Sequence, residues 1–144
     1  MTVNRKKILF VNDEMRMGGV ARVLNTLMEA LPEDQYEIDL LVLHKRGMLL
    51  KEVPANVHIL EGSAFFRTVD QSLPALLQSF DIPAVVSKIR LLLYMKTGLI
   101  KKKIKEERSH MNLGTYDIEV AAKEGFCTIF TACGTSRKKI NWVL

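Results

Sequence analysis

Apolar residues arrive along this chain in two rhythms, and the switch between them marks out the elements. Ile8-Leu9-Phe10-Val11 is an unbroken apolar run bounded by Lys7 and Asn12, the pattern of a strand buried on both faces of a parallel sheet. A polar loop closes on Gly18-Gly19. Beyond it Val20, Val23, Leu24, Leu27, Met28 and Leu31 fall at the spacing of one helix face, and Pro32 ends the pattern. Tyr36 to Leu43 opens with alternation and turns apolar, as a second strand would. Strand, helix and strand within so short a span predict a right-handed crossover joining a parallel pair.

The rest of the chain is read with less contrast. Gly47 to Pro54 predicts a loop with a helical turn around Leu49-Leu50, and Asn56 to Leu60 a short third strand. Residues 61–82, punctuated by Pro74 and Pro83, show no clean period. Ala84 to Arg108 reads as helix, with Val85, Ile89, Leu92, Leu93, Ile100 and Ile104 expected inward and Gly98 as a break. Tyr116 to Ala121 alternates as a fourth strand, Glu124 to Thr131 suits a short helix or turn, and Ile140 to Leu144 is strand-like. The expected fold is α/β, a Rossmann-like three-layer domain with a mostly parallel sheet, one domain over residues 1–144. A strand at the last residue, with no helix after it, predicts a domain incomplete at its carboxyl end.

Composition and charge narrow the class. The chain has 144 residues, 48% of them hydrophobic and 26% charged, which suits one globular domain with a real core. The apolar run near the amino terminus is too short for a signal peptide, and no stretch is long enough to span a membrane. A cytoplasmic location is expected, with a peripheral place at the inner face of the membrane as the alternative. Cys127 and Cys133 form no Cys-x-x-Cys pair and have no matching His cluster; they read as buried free thiols. Net charge is +5, yet Lys88 to Arg108 alone holds eight basic and two acidic residues, leaving −1 for the remainder. Basicity confined to one segment argues against a nucleic-acid binder.

Candidate chemistry begins at the first loop. Glycines after a first parallel strand let the backbone approach a phosphate, and the helix behind offers free N–H groups and the positive end of its dipole. Gly18-Gly19 occupies that place, although it is neither Gly-x-Gly-x-x-Gly nor a Walker loop; taken alone, a tight turn explains it as well. Asp13 and Glu14 follow the first strand, where strand ends gather ligands. Lys101, Lys102, Lys103 and Lys105 form a candidate surface for an anionic membrane, or else a solvated helix end. His44, His58 and His110 are scattered and read as surface residues. Phe65 and Phe66 are candidate exposed contacts for an acceptor or a membrane, and Trp142 is expected in the core.

The stretch Lys7-Ile8-Leu9-Phe10-Val11-Asn12 … Met17-Gly18-Gly19-Val20-Ala21-Arg22-Val23-Leu24 resembles the opening of retaining GT-B glycosyltransferases of family four, the group-one class. Leu31-Pro32 … Tyr36-Glu37-Ile38-Asp39-Leu40, Tyr116-Asp117-Ile118-Glu119-Val120-Ala121 … Glu124-Gly125-Phe126 and Lys138-Lys139-Ile140-Asn141-Trp142-Val143 are similar to later segments of that family, in order. The resemblance implies the amino-terminal, acceptor-side half of a two-domain enzyme. That enzyme would transfer a sugar from a nucleotide sugar to a glycan or lipid-linked acceptor in cell-surface polysaccharide or glycolipid synthesis. It further implies that Gly18 and Gly19 reach the donor diphosphate, that Glu124 faces the cleft, and that neither metal nor cofactor is required; Asp13 and Glu14, by their place after the first strand, are candidates to bind acceptor hydroxyls. The donor half is absent, and Leu144 stands where the family commonly has His. No catalytic residue is assigned, and the chain alone is expected to be inactive. The competing expectations are a non-catalytic subunit that binds the acceptor or recruits it to a membrane, paired with a separate donor-domain chain, and an unrelated flavodoxin-like nucleotide binder.

Overall fold

The computed structural model describes residues 5–15, 19–44, 47–62, 64–66, 68, 71–111, 113, 115–123 and 125–141. Five strands, β1 (Lys6–Asn12), β2 (Tyr36–Val42), β3 (His58–Glu61), β4 (Ile118–Ala121) and β5 (Lys138–Asn141), form one sheet in the order β3-β2-β1-β4-β5. Every neighbouring pair is parallel. Among the described residues five helices connect them: α1 (Gly19–Ala30), α2 (Leu73–Gln78), α3 (Ile82–Thr97), α4 (Ile100–His110) and α5 (Phe126–Ala132). The expected α/β three-layer arrangement with a parallel sheet is therefore present.

The continuous apolar run of β1 is explained by its central place. Ile8 and Phe10 point to the side of α1, where Leu24 and Met28 pack with Ile38, Leu40 and Val42 of β2. Leu9 and Val11 point the other way, toward Leu91 of α3, Ile100 and Ile104 of α4, and Cys127 and Phe130 of α5. Strand residues alternate between faces, so a strand covered on both sides must be apolar at every position.

The path of the chain accounts for the layers. From β1 it moves outward through β2 and β3, then returns past β1 to β4 and β5. Crossovers of one hand then place α1 on one face and α2 to α5 on the other. The 3-10 turn Met48–Glu52 joins the α1 side: Leu49 is buried there, and its carbonyl accepts from Asn25 Nδ2 at 3.1 Å.

Several details differ from expectation. The stretch without a clean period holds the 3-10 turn Ala64–Phe66 and α2, too short to show a period. Phe65 and Phe66 do not form an exposed contact: Phe66 is fully buried, and its ring meets Phe65, Phe126 and Phe130 at centroid distances of 5.3, 5.6 and 5.4 Å. The long helical pattern does divide at Gly98, which takes φ +78° between α3 and α4. On α4, Ile100 and Ile104 turn inward as expected. On α3, Ile89, Leu92 and Leu93 are exposed, whereas Lys88 and Leu91 are buried. Trp142 lies outside the described residues.

Candidate functional site

The strand order reverses between β1 and β4. In open parallel sheets, the crevice outside the carboxyl ends of the two strands at such a reversal is where ligands bind. Here that position is built from the residues after β1 and after β4. Asn12 Oδ1 accepts from the Asp13 amide at 2.9 Å, and Asp13 Oδ1 accepts from the Glu14 amide at 2.8 Å. These two short-range bonds turn the chain out of the sheet. The loop is pinned at Met15, which is fully buried and whose carbonyl accepts from the Leu49 amide at 3.0 Å.

Across the crevice, Lys123 donates from Nζ to Asp13 Oδ2 at 2.9 Å. That hydrogen bond raises the lysine above its usual range, against the opposing effect of partial burial. The Cys127 thiol, on the first turn of α5, is pushed well up by burial and secondarily by the Asp13 charge. It stays protonated and poorly nucleophilic at neutral pH. Both cysteines are free and buried, as the sequence implied.

Of the residues singled out in the sequence, Asp13 and Glu14 thus stand at the reversal point, half-buried. Gly19 opens α1 beside them, and a Cβ built on it meets nothing within 4 Å. Gly18 and Glu124 lie outside the described residues. The lysines of α4 do not all face the same way. Lys101, Lys102 and Lys105 are exposed, but Lys103 turns inward: its amine lies 3.1 Å from Glu107 and over the rings of Phe65 and Tyr94. Among the described residues, no helix is long and apolar enough to cross a membrane, and no group of three His, Cys, Asp or Glu side chains could hold a metal ion.

A second polar feature was not foreseen. His44, Thr68, Gln71, Asp81, Pro83, Ala84 and Ser87 line a cavity of about 380 Å³. It lies where the loop after β2 meets the first turns of α3. Asp81 caps α3, its Oδ1 accepting from the Ala84 amide at 3.2 Å. Thr68 is buried, its carbonyl accepts from Lys88 Nζ at 3.0 Å, and among the described residues its hydroxyl has no hydrogen-bond partner. A buried hydroxyl without a partner costs free energy that a ligand hydroxyl could recover. No sequence motif marks these residues, because they come from three separated segments; Lys123 was missed because a lone lysine after a strand carries no pattern.

A third cluster is structural. Glu119 of β4 is buried, is paired with Arg108 of α4, and accepts from the Ser136 hydroxyl at 2.6 Å. The Arg108 guanidinium also stacks over Phe130, 4.7 Å from the ring centroid. Comparison with protein-family models, with curated proteins and with solved structures returned no match for this chain.

Proposed function

We propose that this chain is the acceptor-side domain of a sugar-nucleotide glycosyltransferase of the GT-B type. The observation that supports the reading is the open backbone at Gly19. Gly19 opens α1, the helix that follows β1, at whose side strand order reverses, and among the described residues nothing lies within 4 Å of a Cβ built on it. In such an enzyme the first turn of α1 would supply backbone N–H groups and a positive dipole end to the leaving diphosphate. The polar cavity beside α3 would receive the acceptor, with Thr68, Gln71, Asp81 and Ser87 as hydroxyl partners. The nucleotide would be held by a donor-binding domain facing this one.

A second reading is a non-catalytic acceptor-binding subunit that pairs with a donor-domain chain. It is favoured by the Asp13–Lys123 pair, which neutralises the carboxylate at the reversal point rather than offering it as a base. Sugar transfer from a panel of nucleotide sugars, with and without a supplied donor-binding domain, tests the first reading. Activity only in the mixture supports it; a mixture that binds acceptor but transfers nothing supports the second. Gly19→Ala is the informative variant, since among the described residues nothing lies within 4 Å of the added methyl. It should leave stability within about 0.5 kcal/mol and lower transfer by at least about tenfold if a diphosphate must approach that backbone.

A further inference from the structure

Helices α4 and α5 run into β4 and β5, so their last turns lie at the amino ends of those strands. The crevice at the reversal of strand order is at the opposite, carboxyl end. Between the two helix ends lies a cavity of about 520 Å³, lined by Lys105, Arg108, Ser109, Leu113, Cys133 and Thr135. That volume is in the range of small-molecule sites and many times that of a water. The proposed transfer makes no use of it.

The walls of the cavity favour an anion. Lys105, Arg108 and Ser109 fall at i, i+3 and i+4 and so share one side of α4. Arg108 is held in place: its guanidinium pairs with buried Glu119, donates to the Phe130 carbonyl at 3.4 Å and lies over the Phe130 ring. Those two bonds leave further N–H donors of the planar fork in a fixed orientation. Glu119 balances Arg108, but Lys105 makes no ion pair among the described residues. The neighbouring carboxylates are directed elsewhere, Glu106 and Glu107 to Lys103 at 3.8 and 3.1 Å, and Asp117 to the Lys7 amide at 2.8 Å. Phe126 to Asn141 adds Arg137, Lys138 and Lys139 and no acid. The carbonyl end of α5, which would repel an anion, is already taken up. The Phe130, Thr131 and Ala132 carbonyls accept from Arg108, the Gly134 amide and Lys139 Nζ.

We propose that this cavity binds a phosphate monoester of metabolite size. Its phosphoryl oxygens take the Lys105 amine, the remaining N–H groups of Arg108 and the Thr135 hydroxyl, all charge-assisted hydrogen bonds to a dianion. The organic part lies against Leu113 and Cys133. A bare phosphate would leave most of the volume and the apolar wall unused. The proposal does not depend on sugar transfer, since its readout is binding at the other end of the strands.

The test is titration of the full, nitrogen-15-labelled chain with phenyl phosphate, a probe that joins a phosphoryl group to an apolar body, followed by amide shifts in NMR spectra. The amides of Ser109, Gly134 and Thr135 should move, and binding should weaken as salt is raised. Phenol should move none of them, and inorganic phosphate should bind at least about tenfold more weakly than the ester. Lys105→Gln removes an exposed, unpaired cation, so the unfolding midpoint should hold while affinity falls by at least about tenfold. Lys105→Arg should restore most of that loss. Thr135→Glu, which sets a carboxylate at the mouth from an exposed position, should weaken binding at least as much as Lys105→Gln. No shift with phenyl phosphate, shifts confined to the amides around Gly19, inorganic phosphate or phenol binding as tightly as the ester, or unchanged affinity in either loss variant would each overturn the proposal.

Discussion

Glu119 shows how much a single position can depend on its neighbours. A carboxylate buried in a sheet is tolerable only when paired and hydrogen-bonded, and here Arg108 and Ser136 supply both. Glu119→Ala would strand Arg108 and should cost about 3 kcal/mol in urea unfolding. Gly134 is tied to the same cluster: a Cβ built there would lie 2.1 Å from a Glu119 carboxylate oxygen. Gly134→Ala should therefore destabilise by about 2 kcal/mol. In the Glu119→Ala background that penalty should largely vanish, a non-additivity that a double-mutant cycle reads directly. Cys127 gives a pH prediction. Its thiol is raised by burial in the folded state, whereas an unfolded cysteine loses its proton near pH 8.5. Above that pH the unfolded state binds fewer protons than the folded one, so stability falls as pH rises. Lys123, also raised, adds to the loss only above its own higher range. The urea midpoint should decline between pH 8 and 10, and less so in Cys127→Ala. Iodoacetamide should label both cysteines in urea and neither in the native chain.

At the level of elements, α3 is the instructive case. Its sequence has apolar residues on more than one side, so periodicity alone selected Ile89, Leu92 and Leu93 as inward. Tertiary structure selected the side with Lys88, whose amine reaches the Thr68 carbonyl while its methylenes remain under the helix. A charged residue on the buried side is what inverts the reading. The break after α3 was legible because glycine serves a physical need there: Gly98 at φ +78° closes the helix in the left-handed conformation. Gly98→Ala should cost about 1 kcal/mol, seen as a lower thermal midpoint, since a Cβ strains that backbone although it meets no neighbouring atom. The first turns of this helix line the polar cavity, and its outer face is exposed.

For the molecule as a whole, the two faces of the sheet are unequally covered. Helices α3 to α5 cover one face, while on the other α1 and the 3-10 turn Met48–Glu52 pack over β1 and β2. Beyond α1 an apolar groove of about 340 Å³ runs between Leu27 and Leu31 and the strand residues Ile118, Val120 and Ile140. It should take up an apolar dye such as anilinonaphthalene sulfonate in the native state. Ile140→Lys, at its exposed lip, should lower that uptake while shifting unfolding free energy by no more than about 0.5 kcal/mol. A groove that excludes the dye in the native chain would mean that the face is covered in solution.

The sequence by itself determined the layer type. An unbroken apolar β1, an amphipathic α1 and an apolar β2 leave a parallel strand pair with a crossover helix as the consistent arrangement, since burial on both faces demands apolar residues at every strand position. The start of α1 directly after the glycine pair was legible for the same local reason, since apolar spacing begins there. What tertiary structure alone decided is what lies opposite what. Strand order β3-β2-β1-β4-β5 brought Lys123 to Asp13, 110 positions away. It also gathered His44, Thr68, Gln71 and Asp81 around one cavity, and turned the apolar side of α3 outward. Such juxtapositions leave no periodic trace, because each depends on the packing of segments distant in the chain, whereas periodicity records only whether a position is covered, and not by what.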